Sequence, residues 1–133
     1  MFKRSRKKNI IKPTSPTNYP YGTCIETEAG WFLIRERGRF RIPTKRVLES
    51  WRFNVVPSSE SAVKHVKISG KMGFRDGSLI KNVANGQIYL ISRNKRMHIT
   101  NPDIFDRYGF DWNSVILVSS DETNLHDDGE VLD

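Results

Sequence analysis

The chain has 133 residues, a formal net charge of +7 and a 37% hydrophobic share, enough for one modest core or two very small subdomains that share one. Its lone Cys24 excludes an intrachain disulfide and a zinc cluster built on thiolates, and reads as a small buried apolar residue. No apolar run is long enough to span a membrane, and no apolar stretch follows the basic N-terminus, which argues against a secretory signal.

Residues 1–12 carry Lys3, Arg4, Arg6, Lys7, Lys8 and Lys12 and no acid. The following KPTSPTNYPY, residues 12–21, is rich in Pro, Ser and Thr, which predicts an extended connection without a core of its own. Strands are predicted at about 22–27, 31–35 and 39–42. Glu36-Arg37-Gly38 makes the tight turn between the last two, with glycine supplying a positive φ. Phe40 and Ile42 alternate with Arg39 and Arg41, so the arginines are expected on the polar face. Thr44 reads as the N-cap of a helix whose Val47, Leu48 and Trp51 share one side. A short Val55-Val56-Pro57 run and a basic strand over 63–69 are expected to lead into the next segment.

The same order then recurs. Asp76-Gly77 predicts a turn and 78–81 a strand. Residues 88–92 and 96–99 predict a hairpin around Asn94, a residue that tolerates the left-handed region. Asn101-Pro102 is an N-cap followed by proline at the first helical position. Ile104, Phe105 and Tyr108 form the apolar side of that helix, and Gly109 ends it. Val115–Val118 closes the segment as a strand. Residues 119–133 hold Asp121, Glu122, Asp127, Asp128, Glu130 and Asp133 without Lys or Arg, and are expected to form a solvated tail.

Shifting residues 31–54 by 57 places them on 88–111. Leu33-Ile34 meets Leu90-Ile91, Arg39 meets Arg96, Ile42 meets Ile99 and Phe53 meets Phe110. An internal repeat of this kind points to a built scaffold. The expected fold is α+β: two copies of a small strand–β-hairpin–helix unit packed together, with an extended N-terminal arm and an acidic C-terminal tail. The predicted boundaries are 1–20 for the arm, 21–70 for the first copy with its connecting strand, 71–122 for the second copy and 123–133 for the tail.

The pattern Asp76-Gly77-Ser78-Leu79-Ile80-Lys81, Tyr89-Leu90-Ile91, Lys95-Arg96, Phe105, Gly109-Phe110, Trp112, Val115 resembles a short strand–hairpin–helix repeat. That repeat occurs in bacterial envelope proteins, where it accompanies cell-wall enzymes, and in virion proteins of tailed phages. The resemblance covers 76–122 well and 22–60 weakly. It implies a fold and a structural role, and brings no catalytic residues with it.

Chemistry is sparse in the sequence. His65, His98 and His126 show no i,i+4 metal spacing, and no nucleophile elbow, phosphate loop or dinucleotide fingerprint is present. The expectation is therefore no enzyme, no cofactor and no metal. Basic patches carry the functional signal: the arm, and a hairpin face of Arg35, Arg37, Arg39 and Arg41 echoed by Arg93, Lys95, Arg96 and His98. The reading is a non-enzymatic structural protein of a tailed-phage virion, located in the capsid, neck or tail. Lys3, Arg4, Arg6, Lys7 and Lys8 would anchor it, and Arg39, Arg41, Lys95 and Arg96 would form a contact face. Its partners would be other virion proteins and copies of itself, with no membrane. The same charges suit phosphate, so the alternative is a small nucleic-acid-binding protein in the host cytoplasm. A cell-wall-associated binding module is a second alternative, implied by the resemblance alone. Trp31, Trp51 and Trp112 are expected in the core.

Overall fold

The computed structural model describes residues 18–133. Lys3, Arg4, Arg6, Lys7 and Lys8 lie outside the described residues. The chain forms two compact units: the first runs to Ile42 and resumes over Phe53–Lys71, and the second takes Pro43–Arg52 and Met72–Asp133. Each contains one five-stranded mixed sheet, and with four short helices the fold is α+β.

In the first unit, β1 (Cys24–Thr27), β2 (Gly30–Arg35) and β3 (Gly38–Ile42) form an antiparallel meander. Helix α1 (Lys45–Trp51), a part of the second unit, follows β3 in the chain. Then β4 (Val55–Pro57) and β5 (Ile68–Lys71) join the two edges in parallel, giving the order β4-β1-β2-β3-β5. Between them lies α2 (Glu60–Val63), a single turn too short to be stable alone. The Ser59 hydroxyl caps it by accepting from the Ala62 N–H, and Val63 buries against Ile25, Phe32 and Ile34. The strand expected over 63–69 is thus corrected. Ser59 and Glu60 start a helix, and extended pairing begins at Ile68.

The second unit repeats this plan. It contains β6 (Leu79–Asn82), β7 (Ile88–Ser92), β8 (Lys95–Ile99) and α3 (Pro102–Arg107). A 3-10 turn (Trp112–Ser114), β9 (Ile116–Val118), α4 (Ser120–Thr123) and β10 (Asp127–Asp128) follow. Its sheet order is β9-β6-β7-β8-β10, with β9 and β10 again parallel to their neighbours. Equivalence holds bond by bond. The Gly22 N–H donates to Ile34 O at 2.8 Å and Gly77 to Ile91 at 2.7 Å. Thr44 caps α1 as Asn101 caps α3, and Ser59 caps α2 as Ser119 caps α4. Buried Val63 answers buried Thr123.

The acidic tail is corrected as well. Asp127–Asp128 pairs in parallel with Lys95–Arg96, and the Leu132 N–H donates to His98 O at 2.9 Å. Residues 119–124 carry a capping box, in which Ser119 and Glu122 satisfy each other's backbone N–H groups. Backbone pairing and these caps hold a segment that its composition alone would leave in solvent.

Both helices of the repeat end in the left-handed region, α1 at Arg52 (φ 56°) and α3 at Gly109 (φ 76°). A side chain at such a position carries a steric cost that glycine avoids. Arg52 is exposed. Arg52→Gly is therefore expected to raise unfolding stability by about 0.5–1 kcal/mol. Urea denaturation checks this; a loss of stability would show that the arginine side chain contributes more than its backbone costs.

Candidate functional site

The hairpin arginines do not form one open face. Arg39 on β3 is 5% exposed. Its Nη1 donates to Glu60 Oε2 at 2.6 Å, its Nε to Val66 O at 2.9 Å, and its guanidinium lies 4.5 Å from the centre of the Phe32 ring. The Thr27 hydroxyl donates to the same carboxylate oxygen at 2.6 Å. The Arg39 hydrogen bond holds the Glu60 carboxyl below its usual range, against a smaller opposing effect of burial. Arg39 thus links β3 to α2 inside the first unit, which corrects its expected place on a contact face. Arg41 is half-buried, with its guanidinium 4.8 Å from the Phe32 ring centre and its Nη1 donating to Ala29 O at 2.9 Å.

The second unit uses the equivalent arginine in the same way. Arg96 donates from Nε to Asp128 Oδ1 at 2.8 Å and from Nη1 to Thr123 O and Asn124 Oδ1. Its guanidinium lies 5.4 Å from the Tyr89 ring centre. Lys95, one residue earlier, is exposed. Of the predicted contact residues in the described chain, Lys95 is the exposed one; Arg41 and Arg96 are half-buried, and Arg39 is buried. The carboxylates that pair with these arginines escaped the sequence reading because Glu60 and Asp128 lie 21 and 32 residues from them. The Ser59-Glu60 pair was a legible helix start, and it was the signal available.

Exposed charge collects elsewhere in the first unit. A shallow cavity of about 290 Å³ is lined by Tyr19, Tyr21, Arg35, Arg37, His65 and Lys67, and Tyr21 is 70% exposed. Residues 18–42 and 53–71 carry seven Lys or Arg against four acids, whereas the second unit carries nine against eleven. The two units thus differ in the sign of their charge balance.

Two further side chains correct the sequence reading. Trp112 is 46% exposed rather than core; its ring stacks on Phe105 at 3.8 Å, and its Nε1 donates to Asp106 Oδ1 at 2.9 Å. His126 is buried in the second unit rather than solvated. Its Nε2 accepts the Phe74 N–H at 2.9 Å, and its Nδ1 donates to Asn94 O at 2.9 Å. Those roles require the neutral ring. Burial lowers the pKa of His126, and the Arg96 charge acts in the same direction, while the Asn94 bond, Asp76 and Asp127 oppose the shift. Cys24 is buried as expected, its thiol pushed up to about 11 by burial and the Glu26 charge.

The His126 arrangement sets a pH dependence. Folding favours the neutral ring, so its contribution is complete above the unfolded imidazole pKa of about 6.5 and declines as pH falls below it. Urea midpoints measured from about pH 7.5 to about pH 5 should fall in wild type, with a shallower slope in His126→Gln. Equal slopes in the two proteins would refute this assignment.

Among the described residues, no group of three or more His, Cys, Asp or Glu is placed to hold a metal ion, and no helix is long and apolar enough to cross a membrane. No family model matches the chain, and no curated protein or solved structure matches it either.

Proposed function

We propose that this chain is a non-enzymatic structural protein of a tailed-phage virion, a capsid, neck or tail component. It would hold other virion proteins and copies of itself through its basic N-terminal end. The observation that carries the reading is the opposite charge balance of two units built to one plan. Residues 1–12 carry six further cations. A basic and an acidic unit on one chain are complementary between copies, and such complementarity speeds encounter and fixes orientation. The resemblance of the repeat to virion proteins supplies the setting.

Removing residues 1–12 tests it. The full chain should self-associate, or enter particles, at low salt and dissociate at high salt, because exposed charges are screened. The truncated chain should fold normally and stay monomeric. Normal assembly of the truncated chain refutes the reading. A second reading, nucleic-acid binding, is favoured by exposed Tyr21 beside Arg37 and Lys67, a ring for base stacking among phosphate partners. Under that reading, the full chain would purify as a monomer carrying nucleic acid that nuclease and salt remove.

A further inference from the structure

The second unit is longer than the first in two places. Equivalent residues are 55 apart at Gly22 and Gly77, 57 apart at Thr44 and Asn101, and 60 apart at Ser59 and Ser119. Two residues are therefore added between β6 and β7, and three between the end of α3 and β9. Both additions reach one cavity of about 330 Å³: Asn85 and Gln87 come from the first and Trp112 from the second, with His98, Asn101 and Phe105 between them.

We propose that this cavity is a binding site for a neutral oligosaccharide carrying N-acetyl groups, a proposal independent of the virion reading. Trp112 has one face against Phe105 and its N–H committed to Asp106, so the exposed part of the ring offers an apolar platform. A pyranose presents a matching face of C–H groups. The amide oxygens around the platform are already used. Asn85 Oδ1 accepts from the Gln87 N–H, Gln87 Oε1 from the Tyr89 hydroxyl, and Asn101 Oδ1 from the Ile104 N–H. Their NH₂ groups remain as donors, suited to hydroxyl and acetamido oxygens. His98 is the one ionisable side chain that lines the cavity, and no Asp, Glu, Lys or Arg does, so it offers no carboxylate to a cationic ligand and no permanent cation to a phosphate or a polyanion. An exposed aromatic ring with a few convergent polar groups is the usual make-up of a small-ligand site. Its construction from both additions to an otherwise repeated unit separates it from the scaffold's own packing.

Titration of the full chain with the β-1,4-linked N-acetylglucosamine tetramer tests the assignment, read by two-dimensional ¹H–¹⁵N NMR. The Trp112 indole N–H signal, identified by its loss in Trp112→Ala, should shift saturably together with the side-chain NH₂ signals of Asn85 and Gln87. Trp112→Ala and Gln87→Ala should each weaken binding by about tenfold or more. Gln87 is exposed, so its variant should keep the dispersed spectrum of the folded chain and report on binding alone. The proposal is overturned by the absence of a saturable shift, by unchanged affinity in both variants, or by an equal response to adenosine or a polyproline peptide.

Discussion

Glu60→Ala should destabilise the protein by about 3 kcal/mol, the lower end of the range for removing one partner of a buried ion pair. The lower end applies because the Glu60 side chain is 31% exposed while that of Arg39 is 6% exposed. Truncation leaves a guanidinium among Phe32, Thr27 and the Val66 carbonyl, with one hydrogen bond where it had two. Replacing both partners, as in Arg39→Met with Glu60→Leu, should recover most of the loss, because no charge is then stranded. Acid should act like the truncation. The Glu60 carboxyl is held below its ordinary range, so its contribution is complete above the unfolded carboxyl pKa of about 4.3 and is lost as pH falls below it. Urea unfolding of the single and double variants measures the effect. A loss under about 1 kcal/mol for Glu60→Ala would mean that water reaches Arg39 once the carboxylate is gone.

Ile99→Ala and Ile42→Ala should each cost about 2–5 kcal/mol. The two residues occupy equivalent register positions, Ile42 opposite Trp31 and Ile99 opposite Ile88, and both are buried. Ile99 packs with Leu79, Ile104 and Phe105, joining the hairpin to α3. Removing it opens a cavity between a strand and a helix that cannot close without shifting one of them. Losses below about 0.5 kcal/mol at both sites would place them at the surface.

The hairpins, the helix caps at Thr44 and Asn101, and the repeat itself were legible because each rests on local chemistry: period-two alternation, N-cap residues and turn glycines. Of the four parallel edge strands, β9 was legible as the apolar run Val115–Val118 and β5 in part, but β4 and β10 were not. Val55–Pro57 and Asp127–Asp128 are too short and too irregular in polarity to signal a strand, and they exist because β1 and β8 offer unpaired backbone edges. The basic face was misread for a related reason. Alternation places Arg39 on the polar side of its strand, but that side is covered by α2, and the covering is a tertiary fact. His126 was placed in solvent because six acids surround it in sequence, whereas in space its two ring nitrogens meet the Phe74 N–H and the Asn94 carbonyl of a hairpin turn.

The interleaving of the chain limits how it can be divided. Residues 43–52 lie between two strands of the first sheet and yet belong to the second unit. A chain starting near residue 72 would lack α1, and one stopping there would keep α1 without the unit it belongs to. A cut near residue 72 would therefore divide the second unit, so the two copies do not separate cleanly at the junction between them.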